Sequence, residues 1–176
     1  MSSTTWNLDA AHSEVNFKVK HLLISTVSGK FNAFSSSSTT EGNDLLSAKV
    51  NFQIEAASID TGMDARNQHL RSDDFFNAEA FPHITFQSDK VRHIDGDEYE
   101  VDGQLTIRDV TKPATFKVEL GGVAQDPYGQ TKLGLEVEGK IKRSEFNLSW
   151  NAVTEAGNVV VSDEVKFQAN LQYVKQ

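Results

Sequence analysis

The chain contains no cysteine, and its 176 residues include only three prolines, two tryptophans and two methionines. Without a thiol, disulfides, thiol nucleophiles and zinc–thiolate centres are excluded, while the redox compartment stays undetermined. Basic charge is also scarce. Lys and Arg number 17 against 25 Asp and Glu, a formal charge of −8 with no basic run to offset it. Gripping a phosphate backbone takes clustered Lys and Arg, so no nucleic-acid partner is expected. Long apolar runs are absent as well, and no stretch is long enough for a membrane-spanning helix. The first residues, Met1-Ser2-Ser3-Thr4-Thr5-Trp6, show neither a basic n-region nor an apolar h-region. The expectation is therefore a cytoplasmic protein, or a periplasmic one if a leader was removed from the sequence.

What the chain does have is alternation. Its length fits a single domain, 1–176, with a real core. Val15, Phe17 and Val19 alternate with Glu14, Asn16, Lys18 and Lys20, which predicts one amphipathic strand from Trp6 to Lys20. The same two-residue rhythm returns through Val50, Phe52 and Ile54, through Ile84 and Phe86, and through Tyr99, Val101, Leu105 and Ile107. It continues in Phe116, Val118 and Leu120, in Leu133, Leu135, Val137 and Ile141, and in Val165, Phe167, Ala169, Leu171 and Tyr173. Ser28-Gly29, Asp95-Gly96, Asp126-Pro127-Tyr128-Gly129 and Ala156-Gly157-Asn158 punctuate these runs as turns. The small, polar Ser35 to Asp44 segment reads as an exposed loop. Gly103 and Gly139 fall in strand register, where a glycine signals a bend or the close approach of another group. About eight evenly spaced strands predict an all-β, antiparallel meander or barrel.

One stretch breaks the rhythm. In Ser58 to Ser88, Asp60, Thr61, Gly62 and Asp64 supply turn and helix-start chemistry, and Ala65 to Arg71 lacks β-branched residues. Ser72-Asp73-Asp74 suggests a second N-cap, so the expectation is a short helical insert near residues 63–76. Its apolar residues, Met63, Leu70, Phe75, Phe76 and Phe81, require burial over the barrel's end or interior. Eight strands enclose space that side chains can fill or that one small ligand can occupy, and the residues alone leave both outcomes open.

At this point the chain resembles the YceI family of lipocalin-like proteins. The resemblance rests on WNLDAAHSEVNFKVKHLLISTVSGKF, on ASIDTGMDARNQHLRSDDFFNAEAFPHITFQS, and more weakly on GQLTIRDVTKPATFKV and RSEFNLSW. Three departures stand out: Asn67 where the family usually has an acid, Arg108-Asp109 where Gly commonly precedes Val-Thr-Lys-Pro, and Asn147 where Gly is usual. The resemblance implies an extended eight-stranded antiparallel barrel with an elongated apolar cavity. The implied ligand is a long-chain amphiphile: a polyisoprenoid, an isoprenoid quinone or a fatty-acid-like lipid. It implies no catalytic residues and no cofactor, and it allows a homodimer.

The expected ligand-lining residues are Val15, Phe17, Val19, Phe52, Ile54, Leu70, Phe75, Phe76, Phe86, Leu105, Phe116, Val118, Leu135 and Phe167. Each would equally suit an ordinary core, since lining and core share one alternation. Head-group candidates are His21, Arg66, His69, Arg71 and Asp73, which could instead tie the insert to neighbouring strands. His12 is expected to make structural hydrogen bonds beside Ser13. No metal site is expected, because His12 and His21, or His83 and His93, would stand about 30 Å apart on continuous strands. The leading function is a non-catalytic carrier. Its rivals are an enzyme, a hydrolase or isomerase, acting on a hydrophobic substrate in the same cavity, and a packed barrel acting through its surface in a stress response.

Overall fold

The structure, a computed structural model, describes residues 2–21, 24–148 and 161–176, with His21 described by its backbone alone. The sequence-predicted turn at Ala156-Gly157-Asn158, and Ser149 and Trp150 of the RSEFNLSW segment, lie outside the described residues. The first strand of the sequence reading is two: β1 (Ser3–Leu8) and β2 (Glu14–His21), parted by a 3₁₀ turn at Ala10–His12. At that turn Asp9 accepts from Ser13 through its carbonyl and meets His12 Nδ1 at 2.8 Å through its carboxylate. The His12 contact holds the Asp9 carboxyl below its ordinary pKa.

Three further expectations are corrected here. β3 (Ser25–Phe31) runs straight through Ser28-Gly29 instead of breaking there. The polar Ser35 to Asp44 segment is no loop; it forms β4 (Phe34–Glu41) and a two-residue hairpin into β5 (Asp44–Glu55). Ser38 and Thr40 turn inward on β4 and are buried, and Thr40 accepts the Trp6 indole N–H at 3.1 Å. A polar strand was masked by its composition, because Ser and Thr satisfy a pleated interior only when such a partner exists. Third, the insert is shorter than 63–76. After β6 (Ile59–Asp60), helix α1 covers Asp64–Arg71 only. Met63 stands at its N-cap without a side-chain cap and is half exposed, so it is not part of the buried cluster. Ser72 starts no second helix; its hydroxyl and its N–H both return to the His69 carbonyl and close α1.

The remaining strands are β7 (His83–Asp95), β8 (Glu98–Ile107), β9 (Val110–Gln125), β10 (Thr131–Lys142) and β11 (Val161–Lys175). β1, β4, β5, β7, β8, β9, β10 and β11 pair in that order, and β11 pairs back onto β1. The result is a closed eight-stranded antiparallel barrel. β11 is long enough to serve two partners on one edge: Asn170 to Val161 pairs with β2, and Tyr173 to Lys175 pairs with β1. β2, β3 and β6 thus branch from the ring and extend it toward the insert.

The two ends differ in construction. One carries the tight hairpins at 42–43, 96–97 and 126–130, the last closed by Asp126 accepting from the N–H groups of Tyr128 and Gln130. The other carries the β2–β3 connection, the insert and the 3₁₀ turn Arg143–Phe146. Toward the hairpin end the β5–β7 ladder stops at Asn51–Gln87, and the Val50 N–H donates to the Ser88 hydroxyl instead.

Candidate ligand-binding cavity

Strand alternation supplies a barrel with inward hydrocarbon; whether that interior is hollow depends on where the phenylalanine rings lie. Three of them lie on glycines of the adjacent strand. A Cβ built on Gly139 would stand 2.3 Å from Phe116 Cδ1, and one on Gly103 would stand 2.5 Å from Phe86 Cζ and 2.2 Å from the Gln87 carbonyl. A Cβ on Gly29 would stand 2.2 Å from Phe17 Cζ. Each ring is laid along the wall where no side chain competes, which is the close approach that Gly103 and Gly139 signalled in sequence. The Phe86 and Phe116 rings then meet edge to face, with centroids 5.2 Å apart, and cover neighbouring strands of one wall.

Two cavities result. The first, about 210 Å³, is the lumen of the eight-stranded ring. Val15, Phe52, Ile54, Phe86, Leu105, Phe116, Val118 and Leu135 line it, together with Phe167. Among the described residues no Asp, Glu, Lys, Arg or His contributes to its wall. The second, about 270 Å³, lies under α1 against β2 and β3 and is lined by Phe17, Val19, Leu70, Phe75 and Phe76, again with Phe167. The two share Ile107 and Phe167 and so meet at that pair. An apolar void of about 150 Å³ already accommodates a benzene-sized guest, so either cavity has room for a hydrocarbon segment.

Sequence reasoning missed part of the lumen. Trp6, Ser38, Thr40, Leu45, Val50, Leu133 and Tyr173 all line it. Tyr173 is deeply buried, with its hydroxyl 2.7 Å from Ser36 Oγ, and burial pushes its pKa up. The equal parity of Ser36, Ser38 and Thr40 with Phe34 was the available signal.

Polar groups concentrate at the second cavity. α1 is fixed to β6 through buried Asn67, whose carbonyl accepts from the Thr61 N–H at 2.8 Å and hydroxyl at 2.7 Å while its amide donates to Asp60 at 3.3 Å. Asp60 Oδ1 also accepts the Gly62 N–H, and that bond is the largest cause of its lowered pKa. Arg66 follows on the helix and donates from Nε to Thr61 Oγ1 and from Nη2 to the Thr61 carbonyl, both at 2.8 Å. His69 lies three residues on, with Nε2 2.8 Å from Asp74 and its ring edge-on to Phe75. Arg66 and His69 both border the cavity.

Arg71 and Asp73, the other two head-group candidates on the insert, are not among the residues that line it. Arg71 donates to the Ala57 carbonyl, and Asp73 is held by Arg108 at 3.0 Å. Arg108 also donates to the carbonyls of Asp73, Phe75 and Asn147 and stacks on Phe81, so it clasps the insert to the β8–β9 turn. It does so from a left-handed backbone, φ 55°, as does Asn147 at φ 62°. Both departures from glycine therefore sit where glycine would be the unstrained choice. The fifth candidate, His21, has a side chain outside the described residues.

Two cations at this cavity, Lys20 and Arg143, were not foreseen. Arg143, buried at the end of β10, donates to the carbonyls of Leu148, Val161 and Ser162 and faces the Phe75 ring at 6.0 Å. Burial lowers its pKa. Among the described residues no three His, Asp or Glu side chains converge as a metal site requires, and no helix is long and apolar enough to cross a membrane.

The model of the YceI-like domain matches residues 6–173. The chain belongs to the YceI-like family. A UPF0312 protein of Staphylococcus aureus is 37% identical over 171 residues, covering 97% of each chain. Among solved structures, Burkholderia cenocepacia BcnA superposes with a TM-score of 0.80 at 27% identity, covering 94% of this chain and 98% of its own. A polyisoprenoid-binding domain from Saccharophagus degradans, implicated in plant cell wall breakdown, superposes at 0.71 with 18% identity, covering 96% and 97%, a likeness of fold.

Proposed function

We propose that the protein binds and carries a long-chain amphiphile, a polyisoprenoid, isoprenoid quinone or fatty-acid-like lipid, and releases it unchanged. The observation that carries this reading is the pair of apolar cavities meeting at Ile107 and Phe167, the first of them walled, among the described residues, without a charged side chain. Burying hydrocarbon there is favourable by about 0.8 kcal/mol per CH₂, so length and apolar walls are sufficient for retention. The Saccharophagus degradans domain of the same fold is a polyisoprenoid-binding one, which supports the same ligand class here.

Native mass spectrometry of the purified protein before and after organic extraction tests the proposal. A lipid released in about one-to-one stoichiometry, and rebinding of an added prenyl or acyl chain, is the expected outcome. A protein that yields no lipid and takes up no added chain would falsify the carrier reading. Incubation with excess ligand separates carrier from enzyme, since a carrier returns the compound chemically intact.

A further inference from the structure

The two cavities differ in one respect that hydrocarbon storage does not require. Among the described residues the lumen contains no ionisable side chain other than tyrosine, whereas the cavity under α1 is bordered by Lys20, Arg66, His69 and Arg143 and by no Asp or Glu. Nearby acids stand outside that wall: Asp73 holds Arg108, Asp74 holds His69, and Asp163 accepts from the Ser144 N–H and hydroxyl while favouring the charged form of Arg143 from a distance. Arg66 is the telling member. It is half-buried and has no carboxylate partner among the described residues; it donates to the hydroxyl and carbonyl of Thr61. Those bonds fix the plane of the guanidinium, and a planar, oriented guanidinium is suited to a carboxylate or phosphate. Arg143 adds a further charge at the same wall, where it donates to the carbonyls of Leu148, Val161 and Ser162. Positive charge held beside an apolar wall, in a molecule of net charge −8, is a local feature and not a property of the surface as a whole.

We infer that the ligand has an anionic head group, a carboxylate or a phosphate, which sits in the cavity under α1 against Arg66 and Arg143. Its hydrocarbon chain passes Ile107 and Phe167 into the lumen. The inference rests on the carrier reading above and narrows it: neutral quinones, alcohols and esters bind more weakly than acids of equal chain length. It also fixes direction, with the head at the insert end and the chain tip toward the hairpins.

Equilibrium binding of four compounds tests it: palmitate against methyl palmitate, and farnesyl phosphate against farnesol. The anion should bind about tenfold or more tightly than its neutral counterpart in at least one pair, as a charge-assisted hydrogen bond in a partly desolvated site predicts. Preference confined to the palmitate pair identifies an acyl carboxylate; preference confined to the farnesyl pair identifies a prenyl phosphate. The ratio should collapse toward unity in Arg66→Gln and survive in Arg66→Lys, which perturbs the Thr61 contacts but keeps the charge. A preference that persists in Arg66→Gln overturns the site. Should that variant fail to fold, the bound head group on the wild-type protein, labelled at the carboxyl carbon or followed at phosphorus by NMR, supplies the answer. It should stay ionised to a pH about one unit lower than a short-chain analogue in solution, and an unshifted titration overturns the inference. Equal binding of charged and neutral partners in both pairs overturns the head-group assignment alone, while failure of all four compounds to bind removes the carrier reading with it.

Discussion

The lumen and the cavity under α1 are neighbours that share Ile107 and Phe167, yet they are built by different means. Regular strands wall the lumen, so every second residue faces it and the lining is uniform hydrocarbon. Irregular segments cover much of the second cavity: α1, the turns around Phe75 and the 3₁₀ turn holding Arg143. Irregular backbone lets polar side chains approach an apolar space at chosen points, which a pleated sheet with a two-residue period does not readily allow. The lesson is a division of labour. Regular structure provides capacity, and irregular structure provides discrimination.

The largest test of that division lies in the lumen. In Gly103→Val, Cβ would meet the Gln87 carbonyl at 2.2 Å and the Phe86 ring at 2.5 Å. The carbonyl is backbone and cannot turn away, so the strand must shift and the ring is driven toward the axis. A stability loss of about 3 kcal/mol is expected by urea unfolding, together with loss of chain uptake. If the variant retained its lipid at wild-type stoichiometry, the idea that rings folded onto glycines keep the lumen open would fail.

Asn67→Ala probes the other end. It removes the acceptor for the Thr61 N–H and hydroxyl and the donor to Asp60, at a cost of about 1–3 kcal/mol. The ring itself is untouched, so chain uptake should persist while discrimination between charged and neutral head groups weakens. Loss of uptake equal to that of Gly103→Val would show that the two ends do not act separately. Gly29→Ala is the milder steric companion. Its Cβ meets only the Phe17 ring, which is able to give way, and a loss of about 1 kcal/mol is expected, read as a small drop in the urea midpoint.

This division also explains what could be read in advance. The barrel was legible because alternation is a direct imprint of one wet and one dry face, and Val15, Phe52, Leu105 and Phe116 announced the lumen in that way. β4 was not legible, since its inward residues Ser38 and Thr40 are polar, and the indole that Thr40 accepts from belongs to Trp6, 34 residues distant in sequence. The insert and its helical turns over Ala65 to Arg71 were legible, but the second helix start read at Ser72 was not real: Asp73 and Asp74 resemble a first helical turn when, in three dimensions, they serve Arg108 and His69. Arg143 gave no signal at all, because the carbonyls that receive it belong to segments brought together only by the fold.

The smallest effect concerns how the hairpin end stays shut. Beyond Ser88, β7 has lost its ladder to β5 and is paired on the β8 side alone. On the outer face there, Arg92 spans the pair, meeting Asp102 at 2.8 and 2.9 Å and Glu100 at 2.7 Å. The Arg92 hydrogen bonds, joined by that from Thr115, pull the Asp102 pKa from 3.8 down to about 2. A carboxyl whose pKa is lower in the folded state stabilises it above the unfolded pKa, and that contribution is lost as pH falls through the folded value. The window is therefore about pH 4 to pH 2. The pair is solvent-facing and screened, so the effect on global stability should be slight. Its local consequence should be clearer: amides of residues 89–95 should lose hydrogen-exchange protection on acidification through that window, whereas those of α1 should not. In Asp102→Asn the 89–95 amides should already be less protected at pH 6 and should change little further on acidification. Identical acid responses in variant and wild type would mean that Asp102 does not hold this strand, and that the seam is closed by the lumen-facing side chains alone.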